Sequence, residues 1–82
     1  MVSIDAGRLA HLTERERRVL TELALGGSTD EVARAMHLSP HTVRSHIKSA
    51  LRKLGAQTRS HGVALALAQG EIDVGALLAG EF

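Results

Sequence analysis

Apolar residues recur along this chain at helical spacing, interrupted in three places by residues that end helices. Between Leu12 and Leu25, Val19, Leu20, Leu23 and Ala24 form one stripe. Thr13 and Glu16 spell a capping box, in which each side chain satisfies a backbone donor at the helix start. Glu14 and Arg18, four apart, are placed to pair on the exposed side. Gly26 and Gly27 then end the helix, since either takes a positive φ without penalty. The pattern restarts at Ser28-Thr29-Asp30-Glu31, a second capping box, with Val32, Ala33 and Met36 as the buried edge. His37 and Leu38 form a turn. Ser39 caps a third helix whose first position is Pro40, where the missing N–H costs nothing. Leu38 and Val43 are set to form a hydrophobic staple that fixes the angle of that turn.

The third helix is two-faced. Val43, Ile47, Ala50, Leu51 and Leu54 share one side, and His41, Arg44, Ser45, Lys48 and Arg52 share the other. Gly55 ends it, Thr58 or Ser60 caps the next, and Val63 to Ala68 are apolar in succession within a fourth helix, about residues 59–69. A helix apolar all round must be covered on more than one side. In so short a chain one face meets the core and the other a second copy, which makes Val63, Leu65, Ala66 and Leu67 the candidate dimer interface. The alternative cover is the tail, through Ile72, Val74, Leu77, Leu78 and Phe82. The expected class is all-α, and Ser28 to Leu54 has the outline of a helix-turn-helix whose second helix enters the DNA major groove. The chain divides into an N-terminal arm or linker stub at 1–11, one domain at 12–69, and a tail at 70–82 with Asp73 as the cap of a short helical turn.

The net charge of +1 says little, but its distribution sharpens the picture. No acidic residue lies between Val32 and Gly70, where Arg34, Arg44, Lys48, Arg52, Lys53 and Arg59 all fall. A basic patch within a near-neutral chain is the footprint expected of a polyanion binder. Arg binds guanine O6 and N7 bidentately, and Lys reaches a base acceptor or a phosphate, so the stripe holding His41, Arg44, Ser45 and Lys48 is the candidate base-reading face, with Arg52 towards the backbone. The start of the second helix offers backbone N–H groups to a phosphate at Ser28 and Thr29, to which Thr29 adds a hydroxyl.

Other chemistry finds little support. The chain has no cysteine, which removes disulfides, thiolate metal sites and a thiol nucleophile. His37, His41 and His46 are close in sequence, but His41 and His46 stand about 140° apart around one helix, so they do not converge on a metal. No Gly-rich phosphate loop and no nucleophile–base pair is present, so neither catalysis nor a cofactor is expected. No apolar run approaches the roughly 20 residues of a membrane span and nothing resembles a signal peptide, so a cytoplasmic location is expected.

These motifs resemble the LuxR-type helix-turn-helix family of bacterial transcription regulators, from Leu12 to about Gln69. Leu12-Thr13-Glu14-Arg15-Glu16 resembles its opening signature, continued by Val19-Leu20. Glu31-Val32-Ala33, Leu38-Ser39, Thr42-Val43-Arg44, His46, Lys53-Leu54-Gly55 and Arg59 follow in order. The resemblance implies a compact four-helix domain that dimerises through its fourth helix. It also implies base reading from Arg44, Ser45 and Lys48, and backbone contacts from Thr42, Lys53 and Arg59. Double-stranded DNA, a second copy of the chain and RNA polymerase are the partners such a regulator implies. Ser45 departs from the bulkier or apolar residues often found at its position. Gly62 stands where the family usually has Ala, which weakens the fourth helix by roughly 1 kcal/mol. The receiver or ligand-sensing domain of many members is absent, which leaves open a stand-alone regulator and a fragment of a larger one. Two other readings compete: the promoter-reading region of a sigma factor, against which the Lys53-Leu54-Gly55 ending and the apolar fourth helix argue, and a protein-interaction module whose basic helix is merely solvated.

Overall fold

In the computed structural model, which describes residues 11–73 and residue 75, four helices follow one another: α1 (Glu14–Ala24), α2 (Thr29–Met36), α3 (Pro40–Leu54) and α4 (Arg59–Ala68). No strand occurs among the described residues. Both capping boxes form. The Thr13 N–H donates to Glu16 Oε1 at 2.8 Å and the Glu16 N–H to Thr13 Oγ1 at 3.1 Å. At α2 the Ser28 N–H donates to Glu31 Oε1 at 2.9 Å and the Glu31 N–H to Ser28 Oγ at 3.2 Å. Ser39 caps α3, and Thr58 rather than Ser60 caps α4. The expected pair of Glu14 with Arg18 gives way to different partners: Arg18 Nε meets Glu22 Oε2 at 3.2 Å, and Glu14 lies 3.9 Å from Arg17 Nη1. The expected N-terminal arm at residues 1–10, and Val74 and residues 76–82 of the expected tail, lie outside the described residues; the Asp73 carboxylate accepts the Gly75 N–H at 3.0 Å.

Chain reversals between helices use the left-handed region. Gly26, at φ +100°, lets the Gly26 and Gly27 N–H groups donate back to Leu23 and Glu22, which satisfies carbonyls at the end of α1. The turn from α2 to α3 does the same with a side chain in the way: His37 holds φ 58° and ψ 42°, and the Leu38 N–H donates to Ala33 O at 2.9 Å. A β-carbon in that conformation is strained. His37→Gly should therefore stabilise the domain by about 0.5–1 kcal/mol, less the entropy glycine loses on folding. Chemical denaturation checks this as a raised midpoint at unchanged slope.

Helix α3 is the element around which the others pack. Its Val43 and Ile47 are buried with Val19 of α1 and Val32 and Ala33 of α2. Leu38 packs on the same group, as a staple beside Val43 requires. One turn further along, its Ala50 and Leu54 are buried with Leu12 and Leu20, with Ala66 of α4, and with Ile72. Leu23 packs against both groups, all three other helices meet the inner face of α3, and none of the described helices covers its outer face.

Burial divides α4 into a side on the core and a side left open within the described residues, and corrects one member of the expected interface. Gly62 and Ala66 are buried within the chain, Val63 and Leu65 are half-buried against the core, and Ala64, Leu67 and Ala68 are exposed. Ala66 is wholly inaccessible, so it has no surface to give a second copy, and the candidate interface shrinks to Val63, Leu65 and Leu67. Part of the cover comes from the segment read as tail. The Glu71 N–H donates to Ala66 O at 2.8 Å and Ile72 is buried, so the packed unit continues past residue 69.

Candidate nucleic-acid interface

The exposed side of α3 carries His41, Arg44, Ser45, Lys48 and Arg52, all open to solvent. Four of them, His41, Arg44, Ser45 and Lys48, line one shallow cleft with the small Ser45 between longer side chains. Among the described residues no acid pairs with this stripe. The ion pairs among the described residues belong to Arg17, Arg18 and Lys53, and none to Arg44, Lys48 or Arg52. Among the described residues Arg52 has only a long contact to the Ser49 hydroxyl, at 3.4 Å. The stripe therefore presents donors that nothing within the described fold neutralises, and its backing of Val43, Ile47, Ala50 and Leu54 fixes which way they face.

The residues expected at the DNA backbone divide. Thr42 ends up in the cap of α3: its N–H donates to Ser39 Oγ at 3.0 Å, and the Ser39 hydroxyl donates to Thr42 Oγ1 at 3.0 Å. Ser28 is exposed, with its own N–H taken by Glu31, and that bond from Ser28 holds the Glu31 carboxyl below its ordinary range. Arg59 and Thr29, thirty residues apart, meet: Arg59 Nη1 donates to Thr29 Oγ1 at 3.1 Å. The cation at the start of α4 is thus held against the start of α2, where free N–H groups point outward.

Lys53 is the exception, because it has an ionic partner within the fold. Its half-buried side chain brings the ammonium to 2.9 Å from Glu16 Oε1, and the Glu16 side chain is only 4% exposed. Burial by itself would raise the Glu16 carboxyl. The Thr13 N–H, the Lys53 ammonium and the Ser49 hydroxyl together outweigh it and hold the group below the ordinary carboxylate range. Lys53 is a crossbar between the end of α3 and the start of α1, with its ammonium paired to Glu16. The sequence signal for half of this was the capping box; nothing local pointed to a partner 37 residues away.

The histidines stay apart. His37 and His41 are exposed, His46 is half-buried, and His61 Nδ1 accepts the Gln57 N–H at 3.3 Å. Among the described residues no three His, Cys, Asp or Glu converge as a metal site would need, and no helix is long and apolar enough to cross a membrane. A second cleft, lined by Leu23, Ala24, Gly27, Arg59, Ser60 and Val63, lies where the end of α1 faces the start of α4.

Residues 10–66 match the family model described as bacterial regulatory proteins, luxR family. The spore germination protein GerE of Bacillus subtilis is 41% identical over 63 residues, which cover 77% of this chain and 85% of that protein. The transcriptional activator protein BjaR1 of Bradyrhizobium diazoefficiens is 43% identical over 56 residues, 68% of this chain but 23% of that protein. The nitrate/nitrite response regulator protein NarP of Escherichia coli is 45% identical over 58 residues, 71% of this chain and 27% of that protein. The chain thus spans about a quarter of the length of BjaR1 and NarP and most of GerE. A solved structure of the transcription factor GerE superposes with a TM-score of 0.74 at 35% identity, covering 77% of this chain and 94% of that one.

Proposed function

The chain belongs to the luxR family of bacterial regulatory proteins, and from that premise we propose that it binds double-stranded DNA sequence-specifically as a dimeric transcription regulator. The observation that carries the reading is the outer face of α3, an exposed and acid-free stripe backed along its whole length by core. Arg44 and Lys48 are the base readers, with His41 and Ser45 beside them in the same cleft. Ser28, Thr29, Thr42, Arg52 and Arg59 flank that stripe as phosphate contacts, and the Arg59–Thr29 bond presents a cation and a helix start together. The dimer forms through the exposed side of α4, so that two copies engage half-sites about one helical turn apart. Its place is the bacterial cytoplasm, on the nucleoid, with RNA polymerase as the machinery it acts on.

The test is selection of bound duplexes from a random-sequence pool at physiological salt. The expected result is enrichment of a two-fold symmetric site whose binding weakens steeply as salt rises. A single asymmetric element would overturn the dimer, and no enrichment at all would overturn sequence reading.

Leu67 gives a separate test of the dimer, because it is the one large apolar side chain among the described residues that is substantially exposed, at 43%. Leu65 is less suitable, since it packs on the core and a charge there would also disturb the fold. Leu67→Glu should leave the helical circular dichroism near the parent value, with a melting temperature matching that of the parent at dilutions where the parent is monomeric. Self-association, read by sedimentation equilibrium, should weaken at least about ten-fold, as expected for a charge buried without a partner in an interface.

A further inference from the structure

We propose that Gly62 is a positioning residue: it seats Leu51 and so sets the stance of the pairing helix α4 on the reading helix α3, and with it the half-site separation that two copies prefer. This rests on the dimeric reading above. Gly62 is buried in the first half of α4. A methyl group placed on it would overlap Leu51 Cδ2 and touch Ala56 Cβ at 3.6 Å. Gly62 sits in a right-handed helix and is not among the glycines with positive φ, so the backbone does not require glycine there. Alanine would favour the helix by roughly 1 kcal/mol. What glycine supplies is the close approach of the two helices.

The position of this contact gives it a consequence for function. Leu51 lies three residues beyond Lys48, about one turn along the same helix. Val63, the first residue of the proposed interface, follows Gly62 directly. One knob and its seat therefore join the helix that reads to the helix that pairs. Leu51 also packs against the group formed by Val19, Val32, Ala33, Val43 and Ile47. A methyl on Gly62 must either push α4 outward or pull Leu51 off that group. In the first case the readers of two paired copies move relative to each other, against a base step of about 3.4 Å.

The experiment uses the full chain and duplexes carrying two selected half-sites whose separation is changed one base pair at a time, beside a duplex with one half-site. For Gly62→Ala, affinity at the parent's best separation should fall about ten-fold or more, because paired binding is lost when geometry forbids simultaneous engagement. The optimum should move or broaden, while single half-site affinity stays within about two-fold of the parent. Adding Leu51→Val, which removes the obstructing methyl, should restore the parent profile. An unchanged separation profile, or an equal loss on single and paired sites, overturns the proposal. If Gly62→Ala does not fold, Leu51→Ala empties the seat from the other side and must broaden the optimum; an unaltered optimum there also overturns it. A parent protein with no separation preference would refute the dimeric reading itself, an outcome distinct from a parent optimum that Gly62→Ala leaves in place.

Discussion

Glu16→Ala should lower the stability of the domain by about 2 kcal/mol, which for a chain of this size is a fall of about 8–16 °C in melting temperature. The carboxylate holds two elements at once. It accepts the Thr13 N–H that opens α1 and the Lys53 ammonium near the end of α3. Losing one side of a capping box costs about 1 kcal/mol, and a buried hydrogen bond to a charged group contributes about 1.5–3. The sum is discounted because the Lys53 side chain is 31% exposed, so its ammonium can turn to water once Glu16 is gone. A thermal melt at neutral pH reads the effect, and a change under about 0.5 kcal/mol, the size of an ordinary surface substitution, would show the crossbar to be idle.

The same pair sets a direction with pH. Glu16 is held below its ordinary value of 4.5 in the folded chain, so the fold gains from its ionisation. That gain is complete above the unfolded value and is lost as pH falls through the lowered folded value. Glu31 is shifted the same way by Ser28, so the parent protein has more than one group that weakens it in acid. Glu16→Gln keeps an acceptor for the Thr13 N–H and removes only the ionisation. The gap in stability between parent and Glu16→Gln should therefore be largest at neutral pH and close as pH drops below about 4.

How much of this was readable in advance follows from the range of each interaction. The capping boxes at Thr13 and Ser28 and the Ser39-Pro40 start of α3 depend on residues three or four apart, and all appear in the sequence before any fold is known. The two faces of α3 were readable for the same reason: alternation at helical spacing states its own phase. Helix α4 has no such phase, because six apolar residues in succession look alike from every side. Only the packing of α1, α3 and Ile72 decides that Ala66 goes inward and Leu67 outward. Lys53 and Arg59 looked equivalent as cations on a basic stretch. They part because Lys53 meets a buried carboxylate on α1 while Arg59 meets a hydroxyl at the surface, and both partners are remote in sequence. Gly62 read as a weak point in a helix because propensity is a property of one residue, whereas the seat it makes needs Leu51.

Arg44→Ala should relax discrimination at the base pairs Arg44 reads, costing about 1–3 kcal/mol on the selected site, a loss of about five- to 150-fold in affinity, and far less on scrambled DNA. The reasoning starts from what the side chain lacks. Arg44 has no carboxylate partner among the described residues and stands beside the small Ser45, so its guanidinium is free to meet a base edge. A bidentate contact to guanine O6 and N7 is directional and fails against any other base, which is why its removal is felt on the correct site first. Lys48, one turn along the same stripe, should behave similarly with a smaller loss of discrimination, because an ammonium is a point charge without the planar fork. The two are neighbours, so the double variant should cost less or more than the sum, and the difference measures their coupling. Arg52→Ala supplies the contrast. At the edge of the stripe it should weaken specific and scrambled duplexes alike and reduce the salt slope by about one contact. Affinities on both duplexes across a salt series separate these outcomes. If Arg44→Ala instead lost affinity equally on specific and scrambled DNA, Arg44 would be a phosphate contact, and the base reading would have to rest on Lys48, Ser45 and His41.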